Sequence, residues 1–257
     1  MNITNKQIVI DRQIASYTVA GSGKDLVLLH GWGCSAAIFH DVQTALAADF
    51  RVFAVDFPGF GQSEEPSEIW GNSDYALWTD KFIEKTGITP YGVLGHSFGG
   101  KIAQYLFPLR SFDKLTLTGS AGLILDSDIA KREKNAGLKG AKKLLQKILP
   151  ASAYHSVKEK MVDMLGSADY KNANPKMREI MKKVIADDSR DYARQIKIPT
   201  LLIWGADDRD TPVEAGHLFN ELIPDSTLTV FPDCGHYTFI DKKQDFIDLT
   251  LNFFKEK

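Results

Sequence analysis

Ten residues, Tyr91-Gly92-Val93-Leu94-Gly95-His96-Ser97-Phe98-Gly99-Gly100, restrict the fold of this chain more than any other stretch. The apolar run Tyr91 to Leu94 is broken by Gly95-His96-Ser97-Phe98-Gly99 and passes directly into the helix-like Lys101-Ile102-Ala103-Gln104-Tyr105-Leu106-Phe107. A strand that turns this sharply into a helix strains the backbone of the residue at the corner. Gly95 and Gly99 remove the side chains that would crowd such a corner, and Ser97 is the residue pushed clear of it. The backbone N–H of Phe98 faces the same space. Taken alone, the pattern also fits a glycine-rich turn around a chance serine, so the rest of the chain decides.

Upstream, Gln7 to Asp11 and Ile14 to Val19 read as a hairpin joined at Asp11-Arg12. Leu26-Val27-Leu28-Leu29-His30 and Arg51-Val52-Phe53-Ala54-Val55-Asp56 are continuous apolar runs, the pattern of strands covered on both faces. A helix is expected over 36–49, and another over Ser73 to Thr86 with Ser73 as N-cap. Downstream, Lys114 to Thr118, Thr200 to Trp204 and Thr227 to Phe231 read as strands, with helices over 212–222 and 241–254. Between about Leu123 and Arg194 the strand runs vanish and lysine-rich helical sequence replaces them. The pattern predicts an α/β chain with a doubly wound, mostly parallel sheet (1–122 and 195–257) and an inserted helical segment at 123–194.

In such a sheet the ligand site lies beyond the carboxyl ends of the strands. His30-Gly31, Asp56, Ser97 and Asp207-Asp208 each end a strand, and His236 lies in the loop after the last one. A serine hydroxyl needs a base to become a nucleophile, and a neutral imidazole oriented by a carboxylate supplies one. Among the six histidines, His30 precedes a glycine turn and organises that loop, and His96 adjoins Ser97 with its side chain directed elsewhere. His40, His155 and His217 fall in helical segments with a surface or packing role. His236, in Asp233-Cys234-Gly235-His236-Tyr237, is left as the candidate base.

For the acid, Asp208 is preferred to Asp207 and Asp210, being three residues past Gly205 and four before Pro212. Turn and helix-cap chemistry is the competing reading for all three. An oxyanion hole needs two N–H donors. Phe98 offers one, and Trp32, in His30-Gly31-Trp32-Gly33, is the candidate for the other.

The chain order Ser97, Asp208, His236, preceded by His30-Gly31-Trp32-Gly33, resembles the α/β-hydrolase fold superfamily. Asp56-Phe57-Pro58-Gly59-Phe60-Gly61-Gln62-Ser63 is similar to that superfamily's Asp-x-x-Gly-x-Gly-x-Ser loop, and Trp204-Gly205-Ala206-Asp207-Asp208 to its acid loop. The likeness spans essentially the whole chain, and segment 123–194 corresponds to the helical cap. These motifs are specific for fold and triad, not for substrate. Within the superfamily the chain is similar to monomeric carboxylesterases with a His-Gly-Trp-Gly loop, although the elbow of one such esterase differs from Gly95-His96-Ser97-Phe98-Gly99. Dehalogenases and epoxide hydrolases of this fold use an aspartate where Ser97 stands. Carbon–carbon bond hydrolases share the triad but usually carry a glycine-richer loop at Trp32.

The resemblance implies a serine carboxylesterase acting on small to medium apolar acyl esters, with no metal or organic cofactor. Trp32, Phe60, Leu145, Tyr237 and Phe239 are expected to bind the substrate. The alternatives are a carbon–carbon hydrolase or lyase with the same triad, and a small-molecule receptor with vestigial hydrolysis. Thirty-one basic against 33 acidic residues give a net charge of −2, which argues against a nucleic-acid partner held by bulk electrostatics. No apolar run approaches the roughly 20 residues that span a bilayer. The polar start from Met1 to Gln7 has no signal-like apolar core, and two cysteines, Cys34 and Cys234, suit a reducing compartment. The expected setting is the cytoplasm, as a monomer or weak homo-oligomer.

Overall fold

The computed structural model describes residues 2–126 and 173–256. Eight strands form one sheet: β1 (Thr4–Ile10), β2 (Gln13–Gly21), β3 (Asp25–Leu29), β4 (Arg51–Val55), β5 (Pro90–His96), β6 (Lys114–Thr118), β7 (Thr200–Gly205) and β8 (Ser226–Phe231). Their spatial order is β1-β2-β4-β3-β5-β6-β7-β8. The first two strands run antiparallel as a hairpin, β2 pairs antiparallel with β4, and every later pairing is parallel. Asp11 and Arg12 both have positive φ, 48° and 68°, the backbone twist that a two-residue hairpin turn requires.

Strand β3 is buried at every position because β4 and β5 flank it and helices cover it. Leu26 and Leu28 join Leu94, Leu201 and Ile203 in a core with Phe39, Val42, Leu46, Phe239, Phe246 and Phe254. The intervening Val27 and Leu29 point to the opposite face, as strand alternation dictates. Each such side chain taken out of water contributes about 1.5–3 kcal/mol. Among the described residues the α-helices are α1 (His40–Leu46), α2 (Asn72–Thr86), α3 (Phe98–Leu106), α4 (Pro175–Ala186), α5 (Arg190–Ala193), α6 (Val213–Leu222), α7 (Thr238–Asp241) and α8 (Lys243–Lys255). Helix α3 is buried along its whole length, so the turn that precedes it is clamped between sheet and core.

Three local expectations need correction. The single helix over 36–49 divides into a 3-10 turn, Ala36–Phe39, whose first amide donates to Asp56 Oδ1 at 2.7 Å, and α1. The stretch 241–254 likewise becomes α7 and α8, broken at Lys242, with Thr238 pinned to Thr118 by a buried 2.6 Å hydroxyl pair. Helix α2 begins at Asn72, not after Ser73: the Asp74 carboxylate accepts the Gly71 N–H at 2.7 Å, and buried Asn72 donates to Val184 O at 3.1 Å.

The chain divides into two compact units, residues 1–123 with 183–257, and residues 124–182. Segment 183–194, grouped by sequence with the insert, thus falls within the sheet-bearing unit. Tyr192 stacks on Tyr105 at 3.9 Å, and polar ties add to this: Lys101 Nζ donates to Val184 O at 2.7 Å, Ser189 Oγ to Gln104 Oε1 at 2.6 Å, and Ser189 N to Gly122 O at 2.8 Å. Buried carbonyls and hydroxyls need such partners wherever they lie in the sequence. Within the second unit, Met177 N donates to Asn174 Oδ1 at 2.9 Å, capping α4.

Candidate active site

Strand β5 ends at His96, and Ser97 stands alone before α3 with φ 53° and ψ −115°. A non-glycine residue in that region is strained by about 1–3 kcal/mol and persists only where its surroundings over-determine it. The surroundings are tight. A Cβ on Gly99 would lie 2.0 Å from Leu29 O, one on Gly95 2.6 Å from Gly99 O, and one on Gly100 2.4 Å from Ser120 Oγ. Ser97 N donates to Thr118 O at 3.1 Å, and Ser97 O accepts the Ala121 amide at 3.0 Å. The serine is held from both sides, yet partly exposed, and its hydroxyl caps nothing in α3.

The loop after β7 carries Asp208, whose side chain is fully buried. Its Oδ1 accepts the amides of Asp210 and Thr211, both at 2.9 Å. Its Oδ2 accepts the Thr211 hydroxyl at 2.9 Å and His236 Nδ1 at 2.8 Å. A carboxylate has about four lone-pair directions, and all four are taken. Burial alone would raise the Asp208 pKa; hydrogen bonds from His236 and Thr211, with the attraction of His236, outweigh it and hold the carboxyl below its ordinary range. An ionised Oδ2 facing Nδ1 fixes the Nδ1–H tautomer of His236 and leaves Nε2 as the basic nitrogen. Gly119, next after the residue that accepts the Ser97 amide, abuts this pair: a Cβ there would lie 3.1 Å from His236 Nδ1 and 3.2 Å from Asp208 Oδ2. Among the described residues no hydrogen bond joins Ser97 Oγ to the ring. Asp208, Asp210 and His236 also bring one potential ligand atom each within 4.8 Å. Hydrogen-bond donors already converge on both oxygens of Asp208.

His96 corrects the expectation that its side chain is directed away. The ring is 1% exposed and lies 4.7 Å from that of His236, 5.1 Å from Tyr237 and 5.0 Å from Phe239. Its Nδ1 lies 3.1 Å from Thr118 O, which makes Nδ1 the donor, and Nε2 is buried with no hydrogen-bond partner among the described residues. Burial first, then the neighbouring His236, pushes its pKa down to about 3. His96 is therefore a neutral wall beside His236. Strand alternation was the available signal, but the sequence does not say which ring packs there.

His30 organises its loop through both nitrogens. Nε2 accepts the Phe57 amide at 3.0 Å, so Nδ1 donates to Gly31 O at 2.7 Å, and burial pushes the pKa down to about 4. Asp56 braces the neighbouring loop by accepting Ala36 N at 2.7 Å and Gln62 N at 2.9 Å. Gly61 is obligatory there, with φ 56° and space for a Cβ only 2.2 Å from Asp56 Oδ2. Both rings have a pH consequence. Unfolded histidines protonate near pH 6.5, whereas the folded chain keeps His30 and His96 neutral down to about 4 and about 3. Stability is therefore fully present above about pH 6.5 and falls on acidification by up to about 1.4 kcal/mol per pH unit for each ring. Urea melts at pH 7 and 5 should differ by roughly 2 kcal/mol or more; a flat profile would contradict buried neutral rings.

The amides of Trp32 and Phe98 have no acceptor among the described residues, Phe98 because it opens α3. Their rings stack edge to face at 5.4 Å, and Trp32 meets Phe60 at 4.8 Å. Trp32, Phe60 and Tyr237 are partly exposed. Phe239 is not: it is 3% exposed and packed between Phe39 (5.1 Å) and Phe246 (5.7 Å), so its ring is a core ring rather than an open pocket wall. Leu145 and His155 lie outside the described residues. Cys34 Sγ is 3.9 Å from Tyr237 OH, while Cys234 is buried near Asp241 with its thiol pushed up to about 11 by burial. Among the described residues no helix is long and apolar enough to cross a membrane.

The chain is 27% identical over 254 residues to a 2-hydroxy-6-oxo-6-(2'-aminophenyl)hexa-2,4-dienoic acid hydrolase of Metapseudomonas resinovorans, covering 94% of this chain and 87% of the relative. It is 28% identical over 244 residues to a pimeloyl-[acyl-carrier protein] methyl ester esterase of Chromobacterium violaceum, covering 88% and 92%. The crystal structure of a serine hydrolase involved in carbazole degradation superposes with TM-score 0.75 at 26% identity over 98% of both chains. The family model for the alpha/beta hydrolase fold matches residues 25–243, and this chain belongs to that family.

Proposed function

We propose that the protein is a serine carboxylesterase in which Ser97 attacks the ester carbonyl, His236 takes its proton and Asp208 orients the ring. The 2.8 Å contact between Asp208 and His236, beside a serine held at φ 53°, is the observation that carries this reading. Phe98 and Trp32 N–H groups receive the developing oxyanion. The alkoxide leaves with the proton from His236, and water activated by the same ring hydrolyses the acyl-enzyme. In this reading the Ser97 to His236 hydrogen bond closes when substrate binds, as catalytic contacts often tighten only in the complex. Trp32, Phe60 and Tyr237 suit a small to medium apolar acyl chain in a protein working in the cytoplasm.

A second reading has one observation in its favour, the 27% identity to a hydrolase of a dienoic keto acid. The triad would then cleave a carbon–carbon bond. A fluorophosphonate probe mapped by mass spectrometry should mark Ser97 under either reading. A panel of p-nitrophenyl esters from acetate to decanoate then separates them: turnover peaking at short or medium chains supports the esterase. Negligible ester turnover with rapid cleavage of a 2-hydroxy-6-oxo-dienoate would replace it.

A further inference from the structure

Thr211 stands apart from the residues that the sequence marks. It follows Asp208 by three positions, and Trp204 Nε1 anchors its carbonyl at 2.9 Å. Its amide reaches Asp208 Oδ1, while its hydroxyl lies 2.9 Å from Asp208 Oδ2, 2.9 Å from Gly119 O and 3.3 Å from His236 Nδ1. The hydroxyl therefore sits where the carboxylate and the imidazole meet. It carries one proton and has two acceptors at equal distance. An ionised oxygen is the stronger acceptor, so the proton goes to Oδ2.

We propose that Thr211 is a positioning residue that sets the basicity of His236 by sharing Asp208 Oδ2 with it, an inference that rests on the serine-hydrolase reading for its catalytic meaning but not for its test. Each donor on Oδ2 withdraws part of the negative charge that would otherwise favour the imidazolium. Without the hydroxyl, Oδ2 serves His236 alone and the ring holds its proton more tightly. With it, the ring is free to accept from Ser97 at lower pH. Its amide on Asp208 Oδ1 and its carbonyl on Trp204 Nε1 hold the loop without the hydroxyl, so valine removes the hydroxyl and keeps the side-chain outline. Among the described residues, the other titratable groups facing His236 are Asp208 and Asp210 from the same loop, His96 from the end of β5, and Tyr237. His96 is held neutral throughout the relevant range, so it does not contribute a competing step.

The test is a histidine-selective 1H–15N NMR titration of the intact protein, with the His236 resonances assigned by their loss in His236→Gln. Thr211→Val should raise the His236 midpoint by about half to one pH unit, and Thr211→Ser should hold it at the wild-type value. The acid limb of fluorophosphonate labelling at Ser97 should move by the same amount in the valine variant. A valine midpoint that is unchanged or lowered overturns the inference, as does a serine variant that shifts like valine. If the NMR shift is found but wild-type Ser97 takes no label, the hydrolase reading fails and the Thr211 to His236 coupling stands.

Discussion

Ser97→Ala should lower the kcat for p-nitrophenyl butyrate by about 10⁴–10⁶ while leaving the fold and its stability near wild type. The size follows from losing the only atom proposed to form the acyl-enzyme, since the remaining oxyanion donors and pocket still give modest acceleration. Stability is spared for a separate reason. Alanine keeps the Cβ, so the strained backbone at φ 53° is unchanged, and the hydroxyl it removes makes no helix-capping contact. Steady-state kinetics with matched urea melts checks both halves. Ester hydrolysis within tenfold of wild type would end the assignment of Ser97 as nucleophile.

Asp208→Asn should cost about 10³–10⁴ in kcat/KM at pH 7 to 8. Four donors converge on this carboxylate, two on each oxygen. An amide offers one oxygen and one NH2 group in the same outline. If the oxygen stays toward the amides of Asp210 and Thr211, the NH2 faces His236 Nδ1 and drives the ring into the tautomer that leaves Nε2 protonated. If the amide flips, two backbone N–H groups lose their acceptor inside a buried loop. Either outcome disables the base or loosens it. The pH dependence of stability gives a second check: Asp208 contributes stability above its unfolded pKa and loses it as pH falls through its lowered folded value. That acid-dependent portion should vanish in the asparagine variant. A variant with activity within tenfold of wild type would show that His236 needs no carboxylate.

Much of the fold was legible because apolar runs and glycine punctuation are local signals. Leu26 to Leu29 reads as a doubly covered strand, and it is the strand flanked by β4 and β5. Asp208 was singled out over its neighbours by its spacing from Gly205 and Pro212, and it is Asp208 that reaches His236. What was not legible depends on side-chain direction and on distant partners. In sequence His96 reads as directed away from Ser97 and Phe239 as a pocket wall, but packing turns the first toward His236 and the second into the core. The Thr211 hydroxyl had no signal, because turn chemistry explains a threonine before proline equally well. Helix α2 starts earlier than Ser73 suggests, since the partners that recruit Asn72 lie more than a hundred residues away.

Within the sheet-bearing unit, Ser189 N donates to Gly122 O at 2.8 Å and closes a doorway on the stretch of chain between them. Whatever hangs beyond a closed doorway can lengthen or shorten at little thermodynamic cost, because closure entropy grows only with the logarithm of what is enclosed. The sheet and the residues gathered at its rim can stay as they are while the tethered segment diverges.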